Sequence, residues 1–473
     1  MAYRTERDSL GERQVPAEAY YGIQTVRAAE NFPISGLRLQ PDFLVATMLV
    51  KKAAAEANAE LGRLPPALGD AIAQAADEVL AGRLRDQFIV DAYQAGAGTS
   101  HNMNANEVLA NRAAEILGSP RGIYDVVHPN DHVNMGQSTN DVFPTALRLA
   151  LLAGLGPLAA AARDLAGAFE RKAAAFAGIV KVGRTHLQDA VPITLGQEFG
   201  GYAANLVRAA EEVERTGTAL RELNLGGTAV GTGLNAGEQF AALATLRLRR
   251  WTGLGVREAA NRFRLTQSTG DLLSYSGAVR RLAVEVGKIA SDLRLLAMGP
   301  RAGIAEIRLP AVQPGSSIMP GKVNPSIPEM ANQVCFQVLG CDATVAAACE
   351  AGQLELNVML PVTAWNMIHE TLILREAMRA LRERTVEGIE ADENRCRELL
   401  DRSTAVATAL STYLGYEATA RIAQEAAATG RPIRELVLEQ GVFDAAEVDR
   451  ILSPESMTRP GIPGRSLPGE PPS

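Results

Sequence analysis

Residues 279–296 read VRRLAVEVGKIASDLRLL, and the apolar positions Val279, Leu282, Val286, Ile289, Leu293 and Leu296 advance by alternating steps of three and four. Because an α-helix turns once in about 3.6 residues, that spacing lines all six along one face and predicts a long helix of a bundle. Toward the N-terminus, Leu147, Leu151, Leu155, Leu158, Ala162, Leu165 and Phe169 form a second stripe. It runs through Pro157, where a kink is expected because proline lacks an N–H and crowds the preceding turn. Toward the C-terminus, residues from Pro325 to about Arg384 are apolar on nearly every face around Val338, Val345, Leu354, Leu356, Val358 and Met359. Helices without a polar face belong at the centre of a bundle or in a subunit interface. The whole pattern predicts a mainly α protein.

The 473 residues divide into three regions: 1–139, a mixed helical segment closed by Pro-, Asn- and Gly-rich loops; 140–394, holding the long helices; and 395–473, a small helical appendage. Its Pro- and Gly-rich tail from Thr458 is expected to be flexible. Acidic residues number 54 against 47 basic ones, for a net charge of -7, and the two signs are interspersed. This argues against a nucleic-acid footprint or a basic membrane face. The charged start Met1-Ala2-Tyr3-Arg4-Thr5-Glu6-Arg7-Asp8 lacks the apolar run of a secretory signal, so a cytoplasmic protein is expected. Cys335, Cys341, Cys349 and Cys396 have no CxxC spacing and read as apolar residues of a reduced protein. The apolar run Leu149 to Ala162 is too short to span a bilayer and reads as a buried helix.

Four segments break the apolar pattern with small polar residues. They are Gly98-Thr99-Ser100-His101-Asn102, Gly136-Gln137-Ser138-Thr139-Asn140-Asp141, Gly183-Arg184-Thr185-His186-Leu187-Gln188-Asp189, and Gly315-Ser316-Ser317-Ile318-Met319-Pro320-Gly321-Lys322-Val323-Asn324-Pro325. Any one alone reads as a helix cap or a turn. Together they supply hydroxyls, amides and one ammonium, the groups that hold carboxylates at helix starts and in glycine loops. The last segment is not a nucleotide loop, since five residues separate Gly315 from Gly321-Lys322 and Val323 follows where Ser or Thr is needed. His128 and His132 are four apart, but Pro129 and Asn130 between them favour a turn over a metal-binding helix. Gly96-Ala97-Gly98 lacks the third glycine and the preceding strand of a dinucleotide fingerprint. Neither a metal nor an organic cofactor is expected.

Residues 315–325 resemble the signature loop of the aspartase/fumarase superfamily, and the other three segments match its remaining motifs in order. The resemblance extends from Tyr20-Tyr21-Gly22-Ile23-Gln24-Thr25 to Pro460-Gly461-Ile462. It implies a three-domain, mainly α subunit with a central long-helix bundle. It also implies a homotetramer with a shared helical core, in which each active site draws these segments from three subunits. The implied chemistry is reversible elimination from a succinyl skeleton to fumarate through an aci-carboxylate intermediate. Ser316 is then the general base. Thr99, Ser138, Thr139 and Ser317 hold the carboxylate that takes up charge; Thr185, Lys322 and Asn324 hold the other. Asn140 and His186 lie by the leaving group, with Glu329 orienting the imidazole. Gly315 and Gly321 read as hinges of a lid.

The run Glu350-Ala351-Gly352-Gln353-Leu354-Glu355-Leu356-Asn357-Val358-Met359 resembles the form of this segment that goes with release of ammonia from L-aspartate, which is the first expectation. The turn His128-Pro129-Asn130-Asp131 resembles the accessory anion site of fumarases, which makes dehydration of L-malate the alternative. Leu360 and His101 depart from the aspartase pattern, where glutamate and a small or aliphatic residue are usual. A non-catalytic helical scaffold is the third reading; retention of the whole polar set argues against it.

Overall fold

The structure, a computed structural model, describes residues 2–465. The remainder of the expected flexible tail lies outside the described residues. The chain opens with a hairpin, β1 (Tyr3–Asp8) and β2 (Gly11–Pro16), followed by α1 (Ile23–Asn31), α2 (Pro41–Glu60), α3 (Pro66–Leu80) and α4 (Thr99–Ile116). Next come α5 (Thr139–Ala175), a second antiparallel hairpin of β3 (Val180–Thr185) and β4 (Gln188–Thr194), and α6 (Leu195–Gly217). Then follow α7 (Phe240–Thr252), α8 (Arg262–Gln267), α9 (Gly270–Leu296), α10 (Ser326–Glu350) and α11 (Leu360–Arg384). The chain continues through α12 (Glu393–Asp401), α13 (Ser411–Leu414), α14 (Tyr416–Thr429), α15 (Ile433–Glu439) and α16 (Ala445–Ile451). The mainly α architecture is as the periodicity predicts. The helix read from 279–296 is the C-terminal part of α9, and all six of its stripe residues are at most 5% exposed.

Contacts cluster in two units. One comprises residues 1–160, 209–284 and 334–376; the other comprises 161–208, 285–333 and 377 onward. In the first, α2, α3 and α4 enclose a core around Met48, Ile72, Val79, Val108 and Leu109. Pro41 and Pro66 open α2 and α3 at positions where a missing N–H costs nothing. In the second, α14, α15 and α16 close over Leu410, Ile422, Val437, Val448 and Ile451. Asp444 and Glu447 form a capping box at the start of α16, satisfying donors that the helix leaves free.

Several details refine the sequence reading. Helix α5 continues through Pro144 and Pro157 without a break. At 37 residues it is long and apolar enough to cross a membrane, unlike the segment 149–162 taken alone, yet most of its apolar window is buried within the protein. Of the two readings of 183–189, a helix cap or a turn, the structure takes the turn: the segment ends a β-hairpin, and Val180, Val182 and Leu400 pack one side of the ladder into a small core. The four cysteines are free, three of them buried.

Candidate active site

Two of the polar segments meet in the first unit. Thr99 begins α4 directly after Gly98, whose φ of +89° and contact with the Phe143 ring leave no room for a side chain. Ser138 precedes α5, and its Oγ accepts from the Asn140 N–H at 3.2 Å. The oxygen of Thr139 accepts from Asn102 Nδ2 at 3.1 Å. Among the described residues neither hydroxyl donates a hydrogen bond, which leaves each proton to donate to an anion at the start of α5. Asn140 is more constrained: its Nδ2 donates to Ala229 O at 2.7 Å and its backbone carbonyl accepts from Asn224 Nδ2. Asp141 is buried beneath this turn and accepts from the N–H groups of Ser138, Gly226 and Thr228. Burial pushes its carboxyl up to about 6, against those hydrogen bonds and the Lys51 charge. Thr99 and Ser100 also line a cavity of about 300 Å³ with Gln24, Arg27 and Asn31. Arg27 is held there by a paired contact with Asp8.

The other two segments belong to the second unit. In the connection between α9 and α10, Gly315 N donates to Lys322 O at 2.7 Å and Asn324 Nδ2 donates to Gly315 O at 2.8 Å, closing residues 315–324 at the neck. A Cβ on Gly315 would lie 2.7 Å from Asn324 N, so only glycine fits the neck. Within the loop, Ser316 Oγ accepts from the backbone N–H groups of Ile318 and Met319, at 3.2 and 3.0 Å. Gly321 has φ +81°, and Ser317, Lys322 and Val323 are exposed. Asn324 is tied to the neck rather than free in solvent.

The β3–β4 hairpin turns through His186 and Leu187, at φ +53° and +61°. Two consecutive left-handed residues match a type I′ turn, which usually takes Asn and Gly; here the conformation is imposed on two residues with full side chains. Thr185 and His186 project from the tip, exposed. The strand behind them is fixed by a buried ionic cluster in which fully buried Glu306 accepts from Lys181 at 2.9 Å and Arg184 at 3.0 Å, while Lys181 also pairs with Glu198. Glu329 stands exposed in the first turn of α10. Within one chain no hydrogen bond joins it to His186 among the described residues.

The turn at His128 is a single π-helical turn, Pro129–Val133. His128 Nδ1 accepts from the N–H groups of Asn130 and Asp131, and His132 Nδ1 accepts from His128 N. The two imidazoles thus cap backbone here. Burial, with His128, holds His132 below its ordinary value, although Asp131 opposes this. Among the described residues, no group of three or more His, Cys, Asp or Glu side chains is arranged to hold a metal ion.

The sequence reading did not single out Lys51 or Glu107, and it gave no environment for His101 or Asn357. Lys51 is fully buried behind the Ser138 turn, and His101 is buried among Phe43, Phe88 and Phe143. Glu107 accepts four hydrogen bonds from Gly22, Gln24 and Thr25, anchoring the start of α1. Burial still pushes its carboxyl up to about 7. Asn357, also buried, closes the turn between α10 and α11 by donating to Ala348 O and accepting from Met359 N. Lys51 and Glu107 interrupt helix stripes with a charge, which is the one sequence signal that marks them.

The lyase family profile matches residues 11–340, and the fumarase C C-terminus profile matches residues 406–459. An aspartate ammonia-lyase from Bacillus sp is 50% identical over 462 residues, which cover 98% of this chain and 99% of that one. Among solved structures, fumarate lyase:delta crystallin from Brucella melitensis bound to cobalt superposes with a TM-score of 0.92 at 50% identity, over 97% of this chain and 100% of that one. A recombinant class II fumarase from Schistosoma mansoni superposes with a TM-score of 0.94 at 36% identity, over 97% and 99%. With both profiles matched in order and relatives aligned end to end, the chain belongs to the aspartase/fumarase superfamily of lyases.

Proposed function

We propose that this protein is an aspartate ammonia-lyase, a carbon–nitrogen lyase that reversibly converts L-aspartate to fumarate and ammonia. Near-full-length identity of about half with aspartate ammonia-lyases supports that assignment. The observation carrying the mechanism is Ser316, whose Oγ already accepts two backbone N–H groups. Such donors stabilise an alkoxide far more than a hydroxyl, so they favour the ionised serine that a general base requires.

The Ser316 alkoxide removes the proton from the carbon next to the β-carboxylate. The electron pair enters that carboxylate, giving an aci-carboxylate dianion held by the hydroxyls of Thr99, Ser138, Thr139 and Ser317. Collapse of the dianion forms the double bond and expels ammonia from the neighbouring carbon. Thr185, Lys322 and Asn324 grip the α-carboxylate, while Asn140 and His186 face the amino group, with Glu329 orienting the imidazole. The turn His128-Asn130-Asp131 is a secondary anion site. The family resemblance implies that each site draws these segments from three subunits, so assembly of copies completes the site. Regions 1–139, 140–394 and 395–473 serve as the three domains of a cytoplasmic homotetramer. Exposed Phe336 and Leu339 on α10 supply apolar surface for that assembly.

Formation of fumarate, followed by the absorbance of its conjugated double bond, tests the assignment with L-aspartate and then L-malate. Signal with L-aspartate is expected; signal with L-malate alone would overturn the assignment in favour of hydration chemistry. Ser316→Ala should lose at least about 1,000-fold in turnover with its oligomeric state unchanged, and wild-type turnover would remove Ser316 as the base.

A further inference from the structure

Lys51 lies in the middle of α2 and is 0% exposed. Its Nζ donates to Asn134 Oδ1 and Gln137 Oε1, each at 3.0 Å. Both acceptors are neutral amides. Among the described residues Lys51 has no ion pair, and the nearby Asp141 carboxylate is already claimed by three backbone N–H groups. An ammonium taken out of water without an anion is costly, and a protein retains one where an anion arrives to complete it.

The hydrogen bonds show where that anion belongs. Asn134 Oδ1, which receives Lys51, also receives Asn102 Nδ2 and Asn106 Nδ2. The same Asn102 amide donates to Thr139 Oγ1. On the other branch, Gln137 precedes Ser138 directly, and Asn134 Nδ2 donates to Gln137 O. The first branch ends on the Thr139 hydroxyl and the second on the peptide that leads directly into Ser138, so both converge on the start of α5. The shared amides hold the ammonium and the start of α5 in fixed relation, and in a low-dielectric interior the field of the charge reaches that end with little screening.

We propose that the Lys51 ammonium is the buried counter-charge of the Ser138–Thr139 cradle, acting through Asn134, Asn102 and Gln137 on the second negative charge that develops on the bound carboxylate. It is a positioning residue, since it touches polar side chains and not the substrate. The proposal rests on reading Ser138 and Thr139 as a carboxylate cradle. Burial pulls Lys51 down to about 7, with Asp141 opposing, so the empty protein holds this proton weakly near neutrality. The titratable groups acting on it are Asp141 and His101; His101 is held neutral by burial. The single charge of a bound carboxylate already strengthens the hold, so binding takes up a proton, and the second charge strengthens it further in the transition state.

Two variants of the full chain separate charge from hydrogen bonding. Lys51→Met removes both, and Lys51→Gln keeps a donor without the charge. Each is expected to keep the wild-type oligomer while kcat with L-aspartate falls at least about 100-fold and KM rises less than about tenfold, because the second charge exists only in the transition state. Lys51→Gln within threefold of wild-type kcat would overturn the proposal, as would a loss confined to KM. Should neither variant fold, calorimetry of succinate binding to the His186→Asn protein in two buffers of different ionisation enthalpy decides. Proton uptake between pH 7 and 8 supports the proposal, and its absence overturns it. Failure of the unaltered protein to turn over L-aspartate would strike the functional reading alone, since succinate binding still reads Lys51.

Discussion

Ser316 and His101 show two ways in which a single side chain is tuned here. Ser316 lies on an exposed loop, and its tuning is local: two N–H groups from residues two and three positions on. That environment is legible in the sequence, because Gly315 and Gly321 bracket a short loop whose backbone has few other partners. His101 is tuned by tertiary burial, packed 5.0 Å from Phe43 and bonded at 3.0 Å to Thr47 Oγ1. The Thr47 hydroxyl donates to Phe43 O, so it accepts the Nε2 proton of a neutral imidazole. Burial, reinforced by Lys51, holds His101 down to about 3, below its free value of 6.5. Between those values the unfolded chain binds more protons than the folded one, so His101 makes stability fall as pH drops from 6.5 toward 3. A His101→Leu variant should lose about 2 kcal/mol less stability than wild type between pH 6.5 and 5, read by denaturant unfolding.

At the scale of elements, the two hairpins and the neck of the 315–324 loop are where sequence and structure diverge most. Residues 183–189 carry the hydroxyls and amides of a helix cap, yet they form the end of a ladder. What decides this is the packing of Val180 and Val182 and the ionic cluster under the strand, and both depend on residues more than a hundred positions away. Glu306 is the keystone of that cluster. A Glu306→Gln substitution leaves Lys181 and Arg184 without their shared anion and should destabilise the fold by about 3 kcal/mol. Because the β3–β4 hairpin presents Thr185 and His186, turnover should fall with it; thermal melts and initial rates check both. Retained stability would mean that Glu198 and solvent suffice for the two cations. The long helices, by contrast, were readable from spacing alone: α9 buries the very stripe that residues 279–296 display.

For the whole molecule, the distribution of the polar segments matters more than any one of them. Each contact unit holds half of the proposed set, with the Thr99 and Ser138 segments in one and the His186 and Ser316 segments in the other. Several of these groups, among them Thr99, Thr185, His186 and Lys322, are solvent-exposed in a single chain. An enzyme that must exclude water from a carbanion needs more enclosure than this. Helix α10 exposes Phe336 at 68% alongside Leu339, an apolar surface suited to another copy. Phe336→Asp should weaken self-association and reduce turnover in parallel, observed by light scattering and fumarate absorbance at matched protein concentrations. Full activity in a dispersed protein would argue against shared sites.

The sequence by itself determined the helical class, the long bundle helices and the four polar segments, because periodicity and loop chemistry are local and repeat along the chain. It also marked Ser316, through the glycines around it. Only the tertiary structure decided that 183–189 is a hairpin, that α5 passes unbroken through two prolines, and that Lys51 and Glu306 are buried charges. Burial is a sum over distant neighbours. The environment of a lysine in α2 depends on Asn134 and Gln137, which no pattern within α2 can specify.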